Sequence, residues 1–168
     1  MEIRPYEPGD AEGLWDCKRA FELGLGSATG GDEKQSKYEG KLDRDYREQW
    51  FEWVGRCVEA DPRCVTVAVN EADDADDTAT LAGYVFVLPE SHRFIWDAAV
   101  LNELYVAPDH RGTGVADDLM DAAVAFASEQ ELPLDRLVLD VDRENDRAKA
   151  FYDRHGFEGW GEMVARKL

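Results

Sequence analysis

Between Val106 and the apolar-periodic segment that begins at Val115 lies Ala107-Pro-Asp-His-Arg111-Gly112-Thr113-Gly114-Val115-Ala116, the stretch of the 168-residue chain most suggestive of chemistry. Glycine lets a ligand approach the backbone because no Cβ stands in the way. The first amides of a helix lack intrahelical acceptors and carry the positive end of its dipole. Two glycines between a strand and a helix start thus make a seat for a phosphate or pyrophosphate, although a Gly-x-Gly turn also serves as a plain helix start. The chain has neither the Gly-Lys-Ser/Thr of a P-loop nor Gly-x-Gly-x-x-Gly, so the familiar nucleotide loops fit less well. Asp117 and Asp118 follow at once; they suit the helix dipole but repel an anion unless they face away or are screened. His110 is either a further phosphate donor or an exposed turn residue. Upstream, Glu103 is the one carboxylate in the apolar run from Ala98 to Val106.

The elements that must position these residues follow from local pattern. Ile3 to Tyr6 reads as a short strand, and Asp10 to Leu23 as a helix through Ala11, Leu14, Cys17 and Phe21, capped by Asp10 and broken by the glycine-rich Gly24 to Gly31. A second helix is predicted from about Asp43 to Glu59, stopped by Asp61-Pro62. Val65–Val69 and Leu81–Leu88 read as a hairpin across the acidic turn Asn70 to Asp77. Ala98–Val106 is then a strand, Gly114–Glu129 a helix with Val115, Leu119, Ala123 and Phe126 on one face, Leu137–Val141 a strand and Asn145–Arg154 a helix. A strand-helix-strand crossover of this length implies a parallel pair.

Two segments resemble the GNAT N-acetyltransferase family. Arg111, Gly114 and Ala116 match its Arg/Gln-x-x-Gly-x-Gly/Ala signature behind a strand ending Leu-Tyr-Val-Ala-Pro. Asn145-Asp-Arg-Ala148-Lys-Ala-Phe151-Tyr152-Asp-Arg-His-Gly156-Phe157 matches its Asn-x-x-Ala-x-x-Phe/Leu-Tyr-x-x-x-Gly-Phe pattern at each position. The likeness spans about residues 80–160 well and the N-terminal third weakly.

The resemblance implies a mixed α/β fold: a mostly antiparallel sheet of six to seven strands, about four helices, and a splayed parallel strand pair that holds the cofactor, with Phe157 opening the last strand. It implies acetyl-CoA as acyl donor, held by Leu104, Val106, Arg111, Gly112, Thr113, Gly114, Val115, Ala116, Asp117 and Asn145. By the same likeness Glu103 is the base, acting directly or through water, and Tyr152 the acid beside the sulfur. A strand bulge would splay the pair, and the amide near Val106 would polarise the thioester oxygen. Each has a structural counterpart: Glu103 as a strand carboxylate held by an arginine or at the sheet edge, Tyr152 as a packed helix tyrosine, Asn145 as a helix cap. A base is needed because an amine of pKa about 10 is mostly protonated near neutrality. The implied reaction is direct attack of a small-molecule or protein amine in a ternary complex, without an acyl-enzyme. A noncatalytic acyl-CoA-binding regulatory module is the alternative. The acceptor pocket is expected from residues 10–60 and 89–97, with Trp50, Trp53, Phe94 and Trp96.

Composition bounds the rest. The length suits one domain over residues 1–168, with 44% hydrophobic residues for its core. With no long apolar run and no apolar leader, a cytoplasmic protein off the membrane is expected. A net charge of −18 argues against nucleic acid, and with more arginine than lysine it suggests a salt-adapted cytoplasm or attraction of a cationic substrate. Cys17, Cys57 and Cys64 are odd in number and outside metal-ligand spacing, so they read as buried free thiols; no metal is expected. A homodimer is left open.

Overall fold

The computed structural model describes residues 1–28, 31–70 and 80–168. Five strands form one sheet in the order β1-β2-β3-β4-β5: β1 (Glu2–Pro5), β2 (Val65–Asn70), β3 (Thr80–Val87), β4 (Ala99–Val106) and β5 (Leu137–Val138). The first four are antiparallel to their neighbours, and β5 runs parallel to β4. Among the described residues five α-helices accompany them: α1 (Ala11–Ala28), α2 (Gly31–Lys41), α3 (Arg44–Ala60), α4 (Val115–Ser128) and α5 (Asp146–Arg154). None of the described helices is long and apolar enough to cross a membrane.

Local chemistry accounts for most of these boundaries. Asp43 caps α3 by accepting from the Tyr46 amide at 2.8 Å. Asn145 caps α5 by accepting from the Ala148 amide at 3.0 Å. Gly156, at φ 78°, ends α5 as the Phe157 amide turns back to the Tyr152 carbonyl at 3.0 Å. The predicted face of α4, Val115, Leu119, Ala123 and Phe126, is buried, and Met120 joins it. The core continues through Leu14 of α1, Val54 and Cys57 of α3, and Val67, Tyr84 and Phe86 of the sheet. All three cysteines are buried and free. Burial pushes the Cys17 and Cys64 thiols up to about 12, which leaves them poor nucleophiles.

The structure departs from expectation in four places. The sheet has five strands among the described residues rather than six or seven, and Phe157 to Leu168 forms no strand. Gly159 and Gly161 fall within that segment, where glycine weakens a strand. β5 is also only two residues long, and a fifth helix, α2, appears where Asp32-Glu-Lys-Gln-Ser-Lys-Tyr-Glu39 offers no apolar period. Gly24 and Gly26 lie inside α1 rather than ending it. The acidic turn falls mostly on residues 71–79, outside the described residues.

Two irregularities in β4 matter for function. β5 pairs with it only at Ala99↔Leu137 and Val100↔Val138, so Leu101 to Val106 runs on with no partner on that side among the described residues. Phe86 stands opposite Glu103 while Val87 stands opposite Leu101, so Asn102 is an extra, bulged residue. The bulge reverses the alternation: Leu101 and Glu103 point to opposite faces, and Glu103 turns toward α1.

Candidate active site

The loop after β4 turns on two glycines. Gly112 and Gly114 hold φ of 78° and 95°, a region open to glycine and strained for other residues, and Gly114 caps α4. His110 and Arg111 bond their amides back to Ala107 and Pro108, and Thr113 Oγ1 donates to the His110 carbonyl at 2.7 Å. Among the described residues no backbone carbonyl accepts from the amides of Gly112, Thr113, Gly114, Val115 and Ala116. Arg111 folds back, its Nε donating to the Val106 carbonyl at 3.0 Å, which ties the loop to the end of β4.

Asp117 is placed differently from a cofactor ligand. Its amide already donates to the Gly114 carbonyl at 2.9 Å, and its carboxylate accepts from Arg154 Nη2 at 2.6 Å and meets His155 Nε2 at 2.9 Å. The Arg154 and His155 contacts hold the carboxyl below its usual range. The run of amides without a backbone acceptor thus spans Gly112 to Ala116 and stops short of Asp117, whose acidic side chain is turned toward α5 and compensated. Arg154 and His155 carry no pattern that would have marked them.

Asn145 spends its Oδ1 on the α5 cap. Tyr152 packs edge-on against Phe151 and Phe157, with ring centroids 5.5 and 5.6 Å away. Burial pushes its phenol up to about 12, and among the described residues nothing accepts from its hydroxyl. A protonated donor without an acceptor is what a departing thiolate needs.

Glu103, 5% exposed, lies in a polar cluster that crosses five elements. Lys18 Nζ of α1 donates to Glu103 Oε1 at 2.5 Å and to Glu22 Oε1 at 2.6 Å. Tyr84 of β3 donates to Glu103 Oε2 at 2.7 Å, and Asn102 Nδ2 stands 3.3 Å from Oε1. Lys41 reaches Glu22 Oε2 at 2.7 Å, and the Tyr46 hydroxyl stands 3.3 Å from Glu22 Oε1. The partner of Glu103 is thus a lysine rather than the arginine considered above. A signal for it existed, since Lys18 interrupts the apolar stripe of α1 as Glu103 interrupts that of β4.

The aromatic residues expected in the acceptor pocket separate. Trp50 is core, 6% exposed, and its Nε1 is buried without a partner. Trp53 is half-buried against Phe86, whereas Phe94 and Trp96 are exposed. A groove of about 600 Å³ lies at the far end of α4, lined by Arg93, Val124, Leu134 and Arg136, away from both motifs. No cluster of three or more metal-binding side chains occurs among the described residues.

A family profile described as "Acetyltransferase (GNAT) family" matches residues 30–157, which span both motifs and the unpaired end of β4. The chain belongs to the GNAT acetyltransferase family. It is 30% identical over 167 residues to mycothiol acetyltransferase of Kocuria rhizophila, covering 95% of this chain and 46% of that protein. Against the mycothiol acetyltransferase of Salinispora tropica it is 26% identical over 173 residues, covering 100% of this chain and 48% of the relative. The chain thus spans about half the length of these curated relatives. Among solved structures, the PaiA N-acetyltransferase of Thermoplasma acidophilum in complex with coenzyme A superposes with a TM-score of 0.67 at 21% identity, covering 94% of this chain and 89% of that one. AAC(6')-Iy in complex with a bisubstrate analog gives 0.66 at 16% identity, covering 99% and 97%. These likenesses show that this GNAT chain has the fold of both.

Proposed function

We propose that the chain is an acetyl-CoA-dependent N-acetyltransferase, one domain over residues 1–168, that moves an acetyl group to a primary amine by direct attack. The observation that carries this reading is the run of five amides from Gly112 to Ala116 that no backbone carbonyl accepts among the described residues, set beside Leu101 to Val106, the stretch of β4 that β5 leaves unpaired. The amides suit the pyrophosphate of coenzyme A, and the open edge from Leu104 to Val106 suits its pantetheine arm and thioester oxygen. Arg111 ties the cradle to that edge, and Asn145 starts the helix that carries Tyr152.

In the proposed reaction the amine nitrogen bonds to the thioester carbonyl carbon, Glu103 takes the amine proton, the carbon–sulfur bond breaks, and Tyr152 donates a hydrogen bond to the leaving thiolate. A phenol raised to about 12 is a weaker acid than a thiol near 8.5, so Tyr152 stabilises the thiolate chiefly by donating rather than by losing its proton. The acceptor, small molecule or protein amine, approaches from the α1 side, which Glu103 faces.

Calorimetric titration with acetyl-CoA, against ATP as control, tests the binding half. Selective acetyl-CoA binding supports the cradle, and equal or absent binding sinks it. A Glu103 already bonded by Lys18 and Tyr84 also suits a noncatalytic acyl-CoA binder. Coenzyme A release from a panel of primary amines, with Glu103→Gln in parallel, separates the two readings: a binder releases none, and a variant as fast as the parent removes the base.

A further inference from the structure

We propose that Lys18 is a positioning residue for Glu103: with Tyr84 it keeps the carboxylate charged and turns one remaining lone pair of Oε2 toward the acceptor. The inference rests on the base role given above and deepens it.

An ionised carboxylate has about four acceptor sites, two on each oxygen. In Glu103 both sites of Oε1 are used, by Lys18 Nζ at 2.5 Å and by Asn102 Nδ2 at 3.3 Å, and one site of Oε2 is used by the Tyr84 hydroxyl at 2.7 Å. One site on Oε2 is left, and a proton taken from an amine or an intervening water goes there.

Burial makes the arrangement matter. Lys18 is 3% exposed, Glu103 5% and Glu22 5%, and Tyr84 is fully buried. A carboxylate in such surroundings, deprived of its counter-charge, takes up a proton and ceases to be a base. Burial alone lowers the Lys18 ammonium, but Glu103 and Glu22 outweigh it and leave it raised, so its charge persists through the neutral range. The other groups at Glu103 are Tyr84 of β3 and Asn102 of β4; Cys17 of α1 acts on Tyr84, and Lys41 of α2 and Tyr46 of α3 reach the cluster through Glu22. Lys41 neutralises Glu22 from the partly exposed side, which leaves Lys18 as the counter-charge of Glu103. The rings of Phe21 and Trp50, each 5.4 Å from Lys18 Nζ, wall the ammonium in.

The test has a readout independent of turnover. In full-length protein labelled with ¹³C at glutamate carboxyls, and with the Glu103 resonance identified by its loss in Glu103→Gln, the Lys18→Met variant should titrate Glu103 at least about one pH unit higher than the parent. With glycinamide as probe acceptor, whose own ammonium sets the first acid limb of kcat/KM near its pKa of about 7.8, the second, steeper limb should move up by the same amount. The acetyl-CoA Kd should change less than about twofold, and Lys18→Arg should recover part of the shift. If Lys18→Met does not fold, the near-isosteric Tyr84→Phe removes the hydrogen bond to Oε2 and should shift the titration in the same direction by less. A Glu103 resonance that titrates where the parent's does, in whichever variant folds, overturns the inference. Parent-like turnover by Glu103→Gln overturns the base reading instead, and the carboxyl titration still decides this one.

Discussion

Replacing Gly83 by alanine should damage the proposed donor slot more than it damages the fold. A Cβ built on Gly83 lies 2.4 Å from the Tyr105 carbonyl oxygen, 3.2 Å from Val106 Cα and 3.3 Å from Leu119 Cδ1. The nearest of these atoms is backbone and has no rotamer by which to escape. Restoring a tolerable contact therefore requires β4 to retreat by roughly 0.6 to 1 Å, and overpacking of this kind costs about 1–3 kcal/mol. The direction of retreat is the important part. β5 holds β4 only at Ala99 and Val100, so the end of the strand yields outward, into the edge from Leu104 to Val106 where the thioester is proposed to lie. A misplacement near 1 Å in a reacting geometry costs on the order of 100-fold. Gly83→Ala should thus lower kcat/KM by about 10- to 100-fold and weaken acetyl-CoA binding. The melting temperature should fall by roughly 2 to 12 °C, at about 2 to 4 °C per kcal/mol for a chain of this size. Calorimetry, coenzyme A release and thermal unfolding read the three effects. A variant with lowered melting temperature but parent-like affinity and turnover would refute the placement of the donor along this edge.

Four further outcomes follow from the same geometry. Tyr152→Phe should lower kcat by about 100-fold, the effect of removing one donor aimed at a developing charge, with acetyl-CoA affinity unchanged. Because burial raises the phenol to about 12, the parent should show no basic limb from Tyr152 below about pH 11; such a limb, lost in the variant, would contradict that environment. Gly114→Ala, at φ 95°, should cost about 1–2 kcal/mol of stability and weaken acetyl-CoA binding, and parent-like affinity would argue against the cradle. Anion sites on basic proteins weaken with salt; here a net charge of −18 surrounds the cradle, so acetyl-CoA affinity should hold or tighten as the Debye length falls from about 10 Å at 0.1 M to about 3 Å at 1 M. A tenfold weakening over that range would show local basic groups outweighing the overall field. Lys18 cancels the charge of Glu103, so an acceptor gains little by arriving as a cation. At pH 7.5 an α-amine of pKa about 7.8 is roughly one-third neutral and an ε-amine of about 10.4 roughly one part in a thousand, so glycinamide should outpace Nα-acetyl-lysine amide by about 300-fold in kcat/KM. Equal rates would refute that.

What could be read ahead of the structure was what neighbouring residues decide among themselves. Gly112 and Gly114 write their backbone geometry into the chain within three positions, and Asn145 and Gly156 bracket α5 in the same local way, so the glycine turn before α4 and the tyrosine helix were both legible. Helix α2 was not, because nothing in its composition separates a buried from an exposed side. The missing final strand was misjudged for a related reason: Phe157 to Leu168 carries apolar residues, but strand formation depends on a neighbour, and β5 extends only from Leu137 to Val138. The bulge at Asn102 is likewise a property of the β3–β4 pair, invisible in β4 alone. Lys18 and Glu103, 85 positions apart, are the instructive case. Each looks like a defect, a charge on the apolar stripe of α1 and a charge in the apolar run of β4. Neither tolerates burial alone, and together they cancel. Two unexplained charges of opposite sign, on elements that must pack against each other, are therefore better read as one interaction. Here that interaction holds the proposed base, and Lys18, proposed to position it, lies in the third of the chain where the family likeness is weakest.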